Sequence, residues 1–385
     1  MLSRRCFCVR RLHTVLGIET SCDDTAVSLV RSDRRVLFSR RVADRDQQAR
    51  LGGICPSTAA IQHRTLLPSL IDECLSSTRH RIADIDAVAV STRPGLVIAL
   101  KEGVHSALEL ARLGRVPLIP VHHMRAHALV ASLVYPSLQY PFVALLISGG
   151  HSLIVLVRSF DNFEIIGTSD GGSLHAGAAL EHFAARSEGG GAGYDLPGVK
   201  SSGGANFNFA ALKSGLLGKL RQSNGVVCVE DFCAVSQRMV TRHLCSRLHA
   251  AFEFLQCEGS IHRGTAVVIA GGVAANRYIN SAVSKLCDHH GLSLLRVPPS
   301  LCTDNAEMVA WTGILALENS SDEIIPWDRL PSFVYVHARS PIGLDRTKEV
   351  PKHPRFSLKI SSIDPETGPI VVHDKEAKEY ERIDV

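Results

Sequence analysis

Twice in this 385-residue chain an apolar run, a turn of small or acidic residues and a second apolar run follow one another. The first set is TVLGIE, TSCDD and TAVSLV, starting at Thr14; the second is PFVALLI, SGGHS and LIVLV, starting at Pro141. Such runs, bounded by such turns, read as strands. One set in each half constrains the fold more than any other feature. It points to a duplicated α/β unit in two lobes with a ligand in the cleft between them. The plainer reading is two unrelated hairpins. Helical stretches such as Leu66–Ser77 and Lys101–Leu113 alternate with strands such as IDAVAVS. Tight Ser/Gly turns also expose backbone N–H groups that a phosphate can use.

The hydrophobic fraction of 45% in a chain this long supports a large core and two domains. No apolar run approaches the roughly 20 residues of a membrane span, so no membrane partner is expected. A net charge of +4 neither demands nor excludes nucleic acid. The 11 cysteines are an odd number without a CxxC pair, which reads as reduced thiols rather than a disulfide framework. The leader MLSRRCFCVRRLH carries Arg4, Arg5, Arg10 and Arg11, and the first carboxylate is Glu19. It reads as an organellar presequence or as an arbitrary basic tail. The expected division is a presequence over 1–14, an N-terminal lobe over 15–140, a C-terminal lobe over 141–345 and a charged tail over 346–385.

Three segments carry candidate chemistry. In VHHMRAHALVA, His123 and His127 share a helix face and suit one metal ion, while His122 lies about 100° away. Among 18 histidines a chance pair at this spacing is also expected. TAVVIAGGVAANRYINSAV reads as a buried strand, a Gly271–Gly272 turn and a helix starting near Ala274, with Asn276 able to read a base edge or a ribose hydroxyl. A glycine pair there has a purely steric reading too. In VPPSLCTDNAEMVAWTGILAL, Asp304 either forms a capping box with Glu307 or supplies a third, oxygen ligand. Two histidines and a carboxylate suit zinc or ferrous iron.

GIETSCDDT (Gly17 to Thr25), HMRAH, LISGGHS, AGGVAANRYI and CTDNAEM stand in the order and spacing of one known family from about Val15 to about Pro341. The chain resembles the tRNA threonylcarbamoyltransferases of the TsaD type, once described as glycoproteases, and its basic leader resembles their mitochondrial branch. The resemblance implies the two-lobed actin/Hsp70/sugar-kinase fold. It implies one divalent metal ion per subunit, zinc or iron, on His123, His127 and Asp304. It assigns Ile147, Ser148, Gly149, Gly150 and His151 to the acyl and phosphate groups of the substrate, with Gly271, Gly272 and Asn276 at the nucleotide. Three segments depart from the family pattern. Arg125 and Ala126 stand between the histidines where the bacterial pattern has an acid and a glycine. GAALEH places Glu181 where relatives have an aspartate, and YDLPGVK leaves Gly198 to represent a two-glycine turn.

The implied reaction moves the threonylcarbamoyl group of L-threonylcarbamoyl-AMP, supplied by a separate synthase, to the N6 amine of the adenosine beside a tRNA anticodon. A homodimer in the mitochondrial matrix, acting on tRNAs that read codons starting with A, completes the expectation. A metalloprotease would need a glutamate beside the first histidine, where this chain has Met124. A sugar kinase would not need the histidine pair, and an inactive scaffold is the remaining alternative.

Overall fold

The computed structural model describes residues 12–44, 46, 50, 53–147, 152–169, 177–188, 203–222, 228–352 and 354–374. In chain order come β1 Thr14–Glu19, β2 Thr25–Arg31, β3 Val36–Val42, α1 Pro56–Thr78, β4 Ala87–Arg93, α2 Val97–Gly114, β5 Leu118–His122 and α3 His123–Leu129. They are followed by β6 Phe142–Ile147, β7 Ser152–Val157, β8 Phe163–Thr168, α4 Gly177–Ala184, α5 Phe209–Gln222 and α6 Val229–Cys257. The last main elements are β9 Ala266–Ala270, α7 Arg277–His289, β10 Ser293–Arg296 and α8 Ala306–Glu318.

Two sheets result. In the first, with order β3-β2-β1-β4-β5, the strands β3, β2 and β1 are antiparallel neighbours, and β4 and β5 continue parallel to β1. In the second, β8, β7 and β6 are antiparallel, and β9 and β10 continue parallel to β6. The same order with the same directions, built from different sequence, is the duplication that the repeated hairpins implied. The fold is of the actin/Hsp70/sugar-kinase type.

The strands are apolar because both faces are covered. All of β1, β6 and most of β2 and β4 are buried. On one face of the first sheet Leu16, Ile18, Val27 and Leu29 pack with Leu67, Leu70 and Ile71 of α1 and Val104 and Leu108 of α2. Each such side chain contributes about 1.5–3 kcal/mol on burial.

The chain forms two compact units, one running to Val134 and including Asp304–Ser340, the other comprising Tyr135–Thr303 and Pro341–Val385. This corrects the expected division at 140/141, which left 304–340 with the second half. The cause is α8. Its sequence AEMVAWTGILALE is apolar nearly all round, so it needs a sheet to cover it. β1 supplies one at Gly17, where an added Cβ would stand 2.3 Å from the Ala306 carbonyl oxygen and 2.6 Å from Ala310 N. Only glycine admits the helix backbone so close.

The described part of the expected charged tail, up to residue 374, docks within the second unit. Ile363 is fully buried, Lys285 Nζ of α7 donates to the carbonyls of Ser362 at 2.7 Å and Asp364 at 2.9 Å, and Arg242 Nε of α6 donates to Asp364 Oδ1 at 3.0 Å.

Candidate metal centre and nucleotide residues

β5 ends at His122 and α3 begins at the next residue, so the strand end aims the first helical turn. His123 and His127, four apart, have ring centroids 4.6 Å apart and nearly perpendicular planes. Both are buried. His122 is not on the helix face first expected. It closes β5, is itself buried, and its Nε2 lies 3.3 Å from the Ser340 carbonyl oxygen.

Asp304 precedes α8 and does not cap it. Asn305 does, its Oδ1 accepting the Met308 N–H at 2.8 Å, and Glu307 accepts the Ser39 hydroxyl at 2.6 Å. The capping-box alternative for Asp304 therefore falls. Its carboxylate turns instead to the histidines, with Oδ1 3.2 Å from His127 Nε2 and 3.5 Å from His123 Nε2.

Behind His123 stands Glu19, the last residue of β1, with no exposed surface. Its Oε2 is 3.1 Å from His123 Nδ1, and its Oε1 accepts the Ser21 N–H at 2.6 Å. Nothing in the spacing of motifs singles out Glu19. The available signal was a carboxylate closing an otherwise apolar, buried strand.

These groups set one another's charge. Burial disfavours the His123 cation, but the Glu19 and Asp304 carboxylates outweigh it and push the imidazole up to about 9. Burial likewise opposes ionisation of both carboxylates; His123 wins at each, assisted by His127 at Asp304, and both are held below the ordinary carboxylate range. Two imidazoles and a carboxylate, each offering one atom, converge with those atoms within 4.8 Å of one another. Separations of 3.2 and 3.5 Å between carboxylate oxygen and ring nitrogen suit two ligands of one ion at bond lengths of about 2.0–2.2 Å. The residues fit a divalent metal.

In the second unit Ile147 ends β6, buried, while Ser148, Gly149, Gly150, His151 and Gly198 lie outside the described residues. Gly271 has φ +96°, and a Cβ there would stand 2.3 Å from the Ile147 carbonyl oxygen, so its glycine is required by the fold itself. Gly272 faces open space. A 3-10 turn over Gly272–Ala275 delays the helix expected near Ala274, so that α7 starts at Arg277. Asn276 caps it: Oδ1 accepts the Ile279 N–H at 3.0 Å and Nδ2 donates to Gln237 Oε1 at 2.9 Å. Glu181 of α4 accepts the Arg277 N–H at 2.9 Å. The structure thus brings Glu181 and Asn276 together at one helix terminus, and adds Gln237, which no motif marked.

A family model described as tRNA N6-adenosine threonylcarbamoyltransferase matches residues 35–311. A Caenorhabditis elegans protein named probable mitochondrial tRNA N6-adenosine threonylcarbamoyltransferase is 44% identical, covering 94% of this chain and 92% of its own length. A Danio rerio protein named mitochondrial tRNA N6-adenosine threonylcarbamoyltransferase is 32% identical over 91% of this chain and 95% of its own. Among solved structures, HypF from T. kodakarensis aligns with a TM-score of 0.54 at 14% identity, over 81% of this chain and 48% of that one, a likeness of fold alone.

Proposed function

This chain belongs to the tRNA N6-adenosine threonylcarbamoyltransferase family, and from that premise we propose that it moves the threonylcarbamoyl group of L-threonylcarbamoyl-AMP to the N6 amine of the adenosine beside the anticodon. The tRNAs are those of mitochondria that read codons starting with A, and a separate synthase supplies the activated substrate. The arginine-rich leader and the names of the relatives support work in mitochondria; the matrix and a homodimer complete the proposal, from the resemblance to the mitochondrial branch alone.

The observation that carries this reading is the convergence of His123 Nε2, His127 Nε2 and an Asp304 oxygen. A zinc or iron ion held by those three would act as a Lewis acid on the carbamate and phosphate oxygens. The amine lone pair forms a C–N bond at the carbamoyl carbon, the C–O bond to the phosphate breaks, AMP leaves with the electron pair, and the amine loses a proton. No protein nucleophile is required.

By the resemblance, Ile147, Ser148, Gly149, Gly150 and His151 take the acyl and phosphate groups, and Gly198, Gly271 and Gly272 contribute to nucleotide binding. Asn276 Nδ2 has two hydrogens and Gln237 takes one, which leaves the other for an adenosine acceptor. Glu181 contributes through its remaining oxygen.

Purified protein given threonylcarbamoyl-AMP and unmodified tRNA should yield threonylcarbamoyladenosine on nucleoside analysis, and His123→Ala should yield none. A protein that binds zinc yet modifies no tRNA would return the scaffold reading.

A further inference from the structure

The two histidines that face Asp304 stand in unlike surroundings. His123 Nδ1 meets Glu19 Oε2 at 3.1 Å and Ser21 Oγ at 3.2 Å. His127 is just as buried, but its Nδ1 has no hydrogen-bond partner among the described residues. An ionised carboxylate only accepts hydrogen bonds, so a neutral imidazole bound to one through Nδ1, the form a metal requires, keeps its proton there and has its Nε2 lone pair on the other side. For His123 that side is the one facing Asp304. His127 has no such constraint from behind.

We propose that Glu19 is the positioning residue of the metal centre, holding His123 as the Nδ1–H form with Nε2 toward the ion, and that the Ser21 N–H in turn fixes Glu19. This rests on the reading of His123, His127 and Asp304 as metal ligands and adds that the two imidazoles are not equivalent. Local sequence makes the device cheap to build. β1 is buried up to its last residue, so Glu19 enters the interior on a rigid strand, and the backbone N–H two residues later closes on its second oxygen at 2.6 Å. A carboxylate behind a ligating histidine orients the ring and raises its basicity. Glutamine at the same place keeps the shape and reverses the polarity: its NH2 can donate to Nδ1, which shifts the ring proton to Nε2 and blocks the ligand atom.

The test uses the full-length protein and zinc alone, titrated in competition with a chromophoric chelator. Glu19→Gln should weaken zinc binding by about 10–100-fold, the usual cost of losing such an outer partner. Ser21→Ala, which keeps the backbone N–H and loses only the hydroxyl, should weaken it less. Unchanged zinc affinity in a folded Glu19→Gln overturns the proposal. Should that variant not fold, the wild type gives the answer: in zinc-loaded protein with 15N-labelled histidine, His123 should carry its proton on Nδ1 and bind through Nε2. Ligation through Nδ1 overturns the proposal. Failure of the wild type to bind zinc overturns the metal reading and this one together, whereas zinc binding equal in wild type and Glu19→Gln overturns this one alone.

Discussion

Helices α7 and α8 both begin with an asparagine cap, Asn276 on the Ile279 N–H at 3.0 Å and Asn305 on the Met308 N–H at 2.8 Å. A carboxylate stands beside each. At α8 it is Asp304, which turns away to lie 3.2 Å from His127 Nε2. At α7 it is Glu181, which reaches over from α4 to accept the Arg277 N–H at 2.9 Å. The first turn of a helix has several backbone donors without partners. At α8 the asparagine cap leaves the neighbouring carboxylate to meet the histidines. Where the terminus recruits a second acceptor, the carboxylate serves the fold.

Four substitutions probe that contrast. Asp304→Ala should reduce zinc affinity by roughly 100-fold or more and abolish tRNA modification, because one ligand of three is gone. The unfolding temperature of the metal-free protein should fall at neutral pH, where Asp304 offsets the buried His123 cation, and much less above about pH 9, where that cation is gone and Asn305 still caps α8; an equal fall at both would show that Asp304 also supports the helix. Asn276→Ala should cost about 2–4 kcal/mol in denaturant unfolding of the second unit, the sum of a lost cap and an unpaired, buried Gln237 amide. Asn305→Ala loses the cap of α8 and should cost about 1–2 kcal/mol in the same measurement; an unchanged midpoint would show that the cap is dispensable. Glu181→Ala is the mildest, at about 0.5–1 kcal/mol for a partly exposed helix-terminal hydrogen bond. Calorimetric titration with AMP then separates its roles: unchanged affinity leaves Glu181 with the helix, while lost affinity at unchanged stability returns it to the nucleotide.

The strands were legible because a strand covered on both faces is an uninterrupted apolar run, as TVLGIE and PFVALLI are. Helix starts were not. The helical pattern seen from Leu66 belongs to α1, which begins at Pro56; that start was hidden because Cys55 at its N-cap makes no side-chain capping bond to the helix backbone. The start of α7 was misplaced because Gly272–Ala275 continue as a 3-10 turn before Asn276 caps. The spacing of His123 and His127 was readable as a shared helix face. That Asp304 meets them depends on α8 returning to β1 at Gly17, a long-range event that no local pattern records. Glu19 escaped for a similar reason: its partner lies 104 positions away.

The return of α8 has a consequence on the ribosome. His127 and Asp304 are 177 positions apart, so at about 5–20 residues per second roughly 9–35 s pass between their appearances. During that interval the nascent first sheet has its two imidazoles without the third donor and without the helix that covers β1. A chain stopped anywhere in between carries an uncovered apolar sheet face and only two-thirds of a metal site. On the proposed ligand set, loading with metal waits for Asp304 and α8 to emerge, and a premature stop anywhere between His127 and Asp304, even far from either histidine, would remove the third ligand as surely as mutating it.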